Sequence, residues 1–381
     1  MVPTRPVKIS FLGDMFLGGE YLPYAKARGY DLLSAFREVQ SWFHDPDILV
    51  VNLEGPLSGH GEKRTHASSL LSNHPAVLGL VRGRSHIVMN LGNNHAMDRG
   101  QIGLERTLHL IEESGYHSVG AGMNREAAEA ALFLEVNGMR IAFLSFTSEE
   151  PFVGSVIAGP DRPGCASMFP PGRPVSRVHA ARKEADTLCV ILHWGHEYYG
   201  FPSPGQVLFA RELVGAGADL VIGHHPHVVQ GLERQKDGLI AYSLGNFFLP
   251  PVRMENGRIQ TRKKSGKEFM ALNVNIEKGH PPGFQMLGGK VRKDYTLNPY
   301  TGPELIRFRD RIERLSSPIQ AEDYDSYWEK YREKRERELA RESFIEAAGR
   351  LFRQSPRQLL ATLSIEDVRR NWRRLVKAIQ N

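Results

Sequence analysis

The sequence predicts an α/β protein built on mixed β-sheets. Short apolar runs of strand length alternate with segments of helical spacing along most of the chain. The runs end in polar clusters, of which residues 52–56 and 92–95 are examples. Two later runs, 269–276 and 283–295, have the pattern of antiparallel strands, so the sheets should combine parallel and antiparallel neighbours.

Each predicted element depends on the spacing of its apolar residues. A compact apolar run bounded by turn residues predicts a buried strand, and a period near 3.6 predicts a helix. Strands are expected at residues 7–13, 47–51, 86–91, 139–146, 187–192, 218–222 and 239–244. Helices are expected at residues 31–43, 76–82, 101–114 and 207–215. Residues 151–174 are rich in Gly and Pro, which predicts a long loop that could act as a lid.

The composition changes near residue 303, where strand signals stop and Arg, Glu and Lys dominate. We therefore expect one domain at residues 1–300 and a helical, charged C-terminal extension at residues 301–381. Charges alternate in sign between residues 327 and 341, with Glu333 and Arg337 four apart, which is typical of a solvated helix face.

The last stretch, residues 364–381, has a different pattern. Ser364 opens a sequence that resembles a capping box, with Asp367 where Glu or Gln is more usual. Apolar residues then share one helical face: Ile365, Val368, Trp372, Leu375, Val376 and Ile379. One interpretation is that this face docks on the preceding domain, residues 1–300. The other is an interfacial helix that contacts an anionic membrane surface or a biosynthetic complex.

Charge and cysteine content exclude several classes of protein. The 49 basic and 43 acidic residues leave a net charge of +6, which is too small to indicate a nucleic-acid partner, and none is expected. Of the two cysteines, Cys189 lies in an apolar run and is expected in the core, so a disulfide framework is not predicted. The chain has no apolar run of about 18 residues and no signal-peptide pattern, so we expect a cytoplasmic protein, with membrane association through residues 364–381 as the alternative.

The sequence Gly-His-His-Pro-His at residues 223–227 is the strongest local indication of chemistry. It follows an apolar strand directly, and α/β folds place their sites beyond strand ends. Pro226 stiffens the backbone between His225 and His227. Neutral imidazoles held this close are suitable ligands for first-row metals, whereas the alternative is a turn with surface histidines.

Other potential ligands also follow predicted strands. The full set is Asp14, Glu54, Asn94, His95, His193, His225 and His227. A pair of divalent cations about 3.5–4 Å apart needs this mixture of a bridging carboxylate with nitrogen and oxygen ligands. Each residue alone has a structural explanation as a helix cap, a turn residue or a core histidine. Seven such residues after strands in one chain favour a metal site.

These stretches resemble the CapA family of poly-γ-glutamate capsule biosynthesis proteins, which are similar to calcineurin-like metallophosphoesterases. The matching segments occur in family order at residues 12–15, 51–57, 92–100, 193–198, 223–230 and 242–247. The resemblance implies a sandwich of two mixed sheets flanked by helices, followed by the helical C-terminal region.

The resemblance also implies roles for the candidate residues. Two divalent ions, Mn, Zn or Fe, are expected. Asp14 and His227 would bind the first, Glu54 would bridge, and Asn94, His193 and His225 would bind the second. His95 would protonate the leaving group. The wider superfamily usually has Asp-x-His in the first motif, whereas this chain has Phe16 in the place of that histidine. Four further residues are expected around the ions: Asp98, His196, Glu197 and Asn246. Of these, Asp98, His196 and Glu197 could compensate for the missing histidine.

Three functional hypotheses follow. The leading one is a metal-dependent, phosphoesterase-like hydrolase in capsule or other surface-polymer biosynthesis, acting on a small-molecule or polymer substrate that carries phosphate or carboxylate. Metal-generated hydroxide would attack in line, with His95 as the general acid. The second is a non-enzymatic polymer-assembly or export factor that retains a metal site. The third hypothesis is a nuclease. It is ranked last because no platform of aromatic and basic residues stands out. An ATP-using ligase is not expected, because Gly266-Lys267 is followed by Glu268 and completes no phosphate loop.

Overall fold

The computed structural model describes residues 5–57, 59–63, 70–81, 86–149, 154–254, 257–261 and 263–351. The chain divides into two compact units, Met1–Ala321 and Glu322–Asn381. Among the described residues, no helix has both the length and the apolar character needed to cross a membrane. The predicted amphipathic segment 364–381 lies outside the described residues.

The predicted strands occur in the predicted order, and further short strands and helices that were not predicted lie between them. The strands are β1 (Val7–Met15), β2 (Ile48–Leu53), β3 (Ile87–Asn90), β4 (His117–Val119), β5 (Ala121–Gly122), β6 (Leu132–Val136), β7 (Met139–Thr147), β8 (Gly164–Cys165), β9 (Thr187–His193), β10 (Leu220–His224), β11 (Leu232–Gln235), β12 (Gly238–Ala241), β13 (Asn246–Phe248), β14 (Val252–Arg253), β15 (Ile259–Gln260), β16 (Glu268–Ile276), β17 (Gly283–Val291) and β18 (Leu297–Pro299). The α-helices are α1 (Tyr21–Ala27), α2 (Gln40–His44), α3 (Gly100–Glu113), α4 (Arg125–Glu129), α5 (Gly172–Arg182), α6 (Pro204–Gly215), α7 (Gly302–Ser316) and α8 (Tyr324–Leu351).

Two mixed sheets form the first unit. The larger has the strand order β18-β17-β16-β1-β2-β3-β4, and β13 also pairs with β1. Its β1 to β4 strands are parallel, whereas β16 and β17 are antiparallel. The second sheet has the order β11-β12-β10-β9-β7-β6, with a parallel centre and antiparallel edge strands. The mixture of parallel and antiparallel pairs confirms the predicted sheet type.

The two sheets bury their facing surfaces against each other. Alternate residues of β1, such as Ile9 and Phe11, share a core cluster with Phe143 of β7 and Ile191 of β9. The other face of the larger sheet packs against the segments that follow β1 and β2, whereas α5 and α6 contact the second sheet. Because side chains alternate between faces along a strand, continuous apolar runs fit strands covered on both sides. This arrangement confirms the predicted sandwich flanked by helices.

Some elements differ from their predicted form. The expected helix at 31–43 is a 3₁₀ segment, Leu32–Val39, followed by the short α2, and the segment Pro75–Val81 is also 3₁₀. The prediction of a loop throughout 151–174 is wrong for β8 and for the start of α5 at Gly172. Both cysteines are buried thiols, and the position of Cys189 in the core is as predicted.

The second unit begins with α8, so the predicted helical character of the C-terminal region is confirmed. Residues on successive turns of α8 form ion pairs: Arg332 lies 2.7 Å from Glu329 and 2.9 Å from Glu336. Such pairs between residues three and four apart support a solvated helix. The alternating charges thus support a helix whose described side chains are mostly exposed.

Candidate metal centre

The candidate residues meet because parallel strands end side by side. Asp14 lies at the end of β1, Glu54 follows β2, and His95 lies in the loop after β3. His193 closes β9 and pairs in register with His224, the last residue of β10. The carboxyl ends of the parallel strands of both sheets therefore lie at one edge of the sandwich, which is where α/β folds place ligands.

Close backbone approach at this edge requires glycine at two positions. A Cβ on Gly13 would lie 2.2 Å from the carbonyl oxygen of Gly245. A Cβ on Gly223 would lie 1.9 Å from the carbonyl oxygen of Tyr242. Neither distance is sterically allowed, so these glycines bring β1 and β10 next to the segment 242–246 and thereby set the positions of Asp14 and His224.

A ladder of polar side chains fixes the carboxylate of Asp14. Its Oδ1 accepts a hydrogen bond of 2.7 Å from Nδ2 of Asn52, whose Oδ1 accepts one of 2.8 Å from Nδ2 of Asn90. The three residues lie opposite one another in the register of β1, β2 and β3. His224 Nδ1 also lies 3.2 Å from Oδ1 of Asp14. Each group in this fully buried ladder is satisfied by its neighbour, as buried polar groups must be.

Asp14, Glu54 and His227 form the first group of candidate ligands. One potential ligand atom from each lies within 4.8 Å of those of the other two, and all three residues are buried. Nδ1 of His227 donates toward Asn246 Oδ1 at 2.8 Å and Asp14 Oδ2 at 3.1 Å. Its Nε2 lies 3.9 Å from Oε1 of Glu54. With Nδ1 engaged, Nε2 is the nitrogen available to a cation between His227 and Glu54.

Asn94, His193 and His225 form the second group. Nε2 of His193 lies 2.9 Å from Oδ1 of Asn94 and 3.1 Å from Nδ1 of His225. These separations are close to the roughly 3.3 Å expected between ligand atoms around a tetrahedral ion with metal–nitrogen bonds of about 2.0–2.1 Å. Two nitrogens and one amide oxygen therefore converge on one point.

Burial and charge give these side chains different protonation preferences. Burial and the neighbouring His225 hold the pKa of His193 well below its usual range. Burial, together with His227, lowers the pKa of His225 to about 4. Burial also acts on His227, but the carboxylates of Glu54, Asp14 and Glu197 outweigh it and raise the pKa of His227 to about 9. Burial alone would raise the pKa of Asp14, yet hydrogen bonds from His224 and His227 keep it well below the ordinary value.

The backbone of this edge is strained. His225 has a φ of 94° and His227 a φ of 57°, and Tyr198, whose amide donates to the carbonyl of Pro226, has a φ of 65°. Left-handed conformations cost roughly 1–2 kcal/mol for non-glycine residues. Such strain persists where the surroundings over-determine it, typically at functional sites.

His95 lies at the open side of the first group. Its Nδ1 donates to Asp98 Oδ2 at 2.7 Å, and that oxygen also accepts from the amide of Leu71 at 2.7 Å. Nε2 of His95 faces Oε1 of Glu54 at 3.7 Å. Burial opposes protonation, but the carboxylates of Asp98 and Glu54 raise the pKa of His95. Asp98 therefore orients His95 and leaves Nε2 directed toward the centre.

The remaining predicted residues occupy different positions. Asn246 contacts His227 directly, as described above, and its Nδ2 donates to the carbonyl of Gly266 at 2.8 Å. Glu197 is exposed, although its charge influences His225 and His227. The ring of His196 lies 5.0 Å from that of Tyr199. Phe16 packs in an apolar cluster with Leu71, Leu249 and Val252.

Sequence reasoning missed Asn52, Asn90 and His224, which support Asp14. A signal was present, because the dipeptide Asn-Leu follows the apolar runs of both β2 and β3. The recurrence of one polar residue at equivalent strand ends indicates a cross-strand pair. His224 was written in the histidine motif itself, but its contact with Asp14 depends on how the two sheets pack.

The donor set fits a divalent metal. His193 and His225 present Nε2 and Nδ1, respectively, beside Oδ1 of Asn94. Their lowered pKa values keep both rings neutral near pH 7, which leaves lone pairs for a cation. Carboxylates, imidazoles and an amide oxygen together suit first-row divalent ions.

Solved structures with a related arrangement include two hydrolases. A phosphatase from Mycoplasma pneumoniae aligns with a TM-score of 0.44 at 13% identity, over 80% of this chain and 97% of that chain. A 5′-nucleotidase from Candida albicans aligns with a TM-score of 0.41 at 10% identity, over 87% of this chain and 60% of that chain. Scores and identities this low transfer no activity from those proteins.

Relatives with higher identity are named for capsule synthesis. The capsule biosynthesis protein CapA of Bacillus anthracis is 35% identical over 250 residues, which cover 64% of this chain and 60% of that protein. The PGA biosynthesis protein CapA of Bacillus subtilis is 33% identical over 286 residues, which cover 71% of this chain and 72% of that protein. The match with the first relative thus spans less than two thirds of that relative's own length.

The family model described as bacterial capsule synthesis protein PGA_cap matches residues 8–250. This range is more than half of the chain, and it includes both ligand groups, His95 and Asn246. The resemblance to CapA proteins is thereby confirmed: the chain belongs to the bacterial capsule synthesis protein family PGA_cap.

Proposed function

We propose that this protein is a metal-dependent, phosphoesterase-like hydrolase that acts in capsule or poly-γ-glutamate biosynthesis. The observation that supports the proposal is the convergence of two ligand groups at one edge of the sandwich. Asp14, Glu54 and His227 form one group, and Asn94 and His193 meet His225 in the other. Within this proposal, each group holds one divalent ion, Mn, Zn or Fe.

Such ions would supply Lewis acidity and neutralise the charge that develops on a phosphoryl group. The protein's own residues would hold them in position. Asn52 and His224 hold Asp14 through hydrogen bonds, and the strained turn at His225 and His227 directs both imidazoles inward. Supporting contacts of this kind are often worth 10–100-fold in metal affinity or activity.

His95 is the group that we assign to proton transfer. Asp98 accepts a hydrogen bond from Nδ1–H, and the raised pKa of His95 favours the imidazolium form, in which Nε2 also carries a proton that can pass to a leaving oxygen. The same orientation places Nε2 beside Glu54, at the open side of the first ligand group. The side chain of His95 is 14% exposed, which leaves it accessible to a substrate.

Metal content and turnover of the purified protein test this function. We expect the protein, after treatment with a chelator to remove metal, to bind Mn²⁺, Zn²⁺ or Fe²⁺ with up to two ions per chain. The metal-loaded protein should hydrolyse bis(p-nitrophenyl) phosphate. Asp14→Asn should lose both properties, whereas Asp161→Asn, a matched change at an exposed residue, should keep them. A protein that binds no metal would contradict the proposal.

Phe16 supports a second candidate, a polymer-assembly or export factor that retains a metal site without catalysis. Its ring packs with Leu71, Leu249 and Val252, so this position supplies no metal ligand. Protein that binds metal stoichiometrically but hydrolyses no phosphomonoester or phosphodiester would favour this candidate.

A further inference from the structure

The loop that follows β3 carries candidate residues of both parts of the centre. Asn94 belongs to the second ligand group, and Nε2 of His95 faces Oε1 of Glu54, in the first group, at 3.7 Å. Neither Asn94 nor His95 lies in a strand, since β3 ends at Asn90. Their positions therefore depend on the contacts that hold this loop, residues 91–95, against the ends of the neighbouring strands.

The start of the loop is tied to the polar ladder beside it. The amide of Gly92 donates to Oδ1 of Asn90 at 3.2 Å, and Asn90 is the outer member of the ladder that holds Asp14. This contact fixes the point at which the loop leaves β3. Asn94 and His95 come two and three residues later, so further contacts must set their positions.

Asn93 supplies those contacts through its side chain. Its Nδ2 donates to the carbonyl of Leu53, directly before Glu54, at 2.9 Å, and its Oδ1 accepts from the amide of His95 at 3.2 Å. An asparagine can make both bonds because its amide group offers a donor and an acceptor. The bond to an amide two residues later forms an Asx turn. One side chain thus joins the end of β2 to the residue that we assign to proton transfer.

The two adjacent asparagines of the loop have different surroundings. Asn94 is half-buried, and its Oδ1 lies beside His193 in the second ligand group. Asn93 is fully buried. Its carbonyl accepts from Sγ of Cys165 in β8 at 3.3 Å, and its amide donates to the carbonyl of Leu91 at 2.8 Å. Asn94 therefore contacts the centre, whereas Asn93 contacts the protein around it.

The bond from Asn93 to the end of β2 also connects the two ligand groups. The amide of Glu54 donates to the carbonyl of Met15 at 2.9 Å, so the end of β2 is attached to the end of β1, next to Asp14. Asn93 attaches the loop of Asn94 to this same point. The distance between the first and the second group thus depends on Asn93.

We propose that Asn93 is a positioning residue of the candidate metal centre, which holds Asn94 and His95 at their distances from Glu54 without itself contacting an ion or a substrate. The inference rests on the proposed function only in taking the two ligand groups as metal sites. A positioning residue should affect the affinity for metal, whereas a residue that only stabilises the fold should not. Contacts that orient ligand residues are often worth 10–100-fold in metal affinity.

Titration of the metal-free full chain with Mn²⁺ tests this role without any measurement of hydrolysis, with the free ion followed by electron paramagnetic resonance. Asn93→Ala removes both side-chain bonds. Asn93→Ser keeps an oxygen that can accept from the amide of His95 but removes the Nδ2 donor to Leu53. Asn273→Ala is the matched control, because Asn273 is a buried asparagine that accepts from Ser10 between β1 and β16, away from the loop.

We expect the wild type to bind Mn²⁺, and at least one Kd to rise about tenfold or more in both Asn93 variants while their circular dichroism spectra match the wild type. Asn273→Ala should lower the melting temperature but change each Kd less than about twofold, because distant sites act independently.

Wild-type Kd values in either folded Asn93 variant would overturn the inference, because each variant lacks the bond to Leu53. Equal weakening by Asn273→Ala would also overturn it, as would failure of both Asn93 variants to fold, since Asn93 would then support the fold instead of the centre. A wild-type protein that binds no Mn²⁺ would contradict the proposed function as well, so the two failures are distinguishable. The inference can hold in a protein without turnover, because hydrolysis is not measured.

Discussion

His225 and His227 are separated by one proline, yet the pKa values of their imidazoles are shifted in opposite directions. The pKa of His225 is lowered to about 4 because its ring is buried and faces another histidine side chain. The pKa of His227 is raised to about 9 because the carboxylates of Glu54 and Asp14 surround it. The carboxylates that favour a proton on His227 favour any cation there. The two ligand groups are therefore electrostatically different, and the group around His227 has the greater negative charge.

The first prediction at this scale concerns the second ligand group. His193→Ala and His225→Ala should each reduce bound metal by about one equivalent, since loss of a ligand weakens binding strongly and even supporting residues contribute 10–100-fold. Elemental analysis after gel filtration measures the change. Both rings are fully buried, so the circular dichroism spectrum of each variant must first match the wild type. His109→Ala, an exposed histidine paired with Glu113, is the control, and unchanged stoichiometry in both variants would contradict the ligand assignment.

His95 allows a second prediction. His95→Asn should retain bound metal but lose about 10²–10⁴-fold in turnover, because that is the typical contribution of a general acid. The loss should be greatest for substrates with poor leaving groups, which need the proton most. Rates for a phenyl and a p-nitrophenyl ester are therefore compared. Equal losses for both substrates would indicate that His95 positions the substrate instead of protonating it.

Among the elements, α4 and α5 are joined through one buried carboxylate, and this contact gives a stability prediction. Glu129 is 2% exposed and accepts hydrogen bonds from Arg173 at 2.5 Å and from Arg177 at 3.0 Å. Glu129→Gln should lower the free energy of unfolding by about 1–3 kcal/mol. This range is lower than for a fully buried ion pair, because both arginines are more than a third exposed to solvent. Urea denaturation measures the change. Glu135→Gln, which removes an exposed partner of Arg140, should change stability by less than about 0.5 kcal/mol.

Strands buried on both faces could be predicted from sequence, whereas short or irregular elements could not. The core strands β1, β2 and β9 follow their apolar runs closely, because only a covered strand tolerates apolar residues on both faces. The whole of α5 was missed because its first residues, Gly172 to Pro174, have loop composition, although proline is well tolerated in the first turn of a helix.

The candidate site likewise has a part that could be predicted from the sequence and a part that could not. Strand ends could be recognised locally, so the sequence placed Asp14, Glu54 and the histidines at one edge. The support of Asp14 by Asn52 and His224 depends on strand register and on the packing of one sheet against the other. Neither quantity is encoded in a local pattern, and both are set by the whole core.

At the scale of the whole molecule, the proposed chemistry occupies one part of the chain. Both candidate ligand groups and His95 lie within the residues that the family model matches, 8–250. All of these residues belong to the unit Met1–Ala321. The charged helix α8 opens the second unit. The chemistry should therefore depend on the first unit, and the last residues of the chain should affect stability or location.

The last prediction concerns residues 364–381, which lie outside the described residues and carry six apolar side chains at helical spacing. If this face docks on the folded protein, deleting the segment exposes apolar surface and should lower the melting temperature by roughly a few degrees. If the segment is an interfacial helix, deletion should leave the melting temperature unchanged and abolish sedimentation with anionic liposomes at low salt. We expect docking, so full-length protein should stay in the supernatant with phosphatidylglycerol vesicles. Replacing Arg369, Arg370, Arg373 and Arg374 by Gln is the control for charge, because it should abolish vesicle binding and leave a docked apolar face intact. Docking would be contradicted if the full-length protein sedimented with the vesicles and neither variant did.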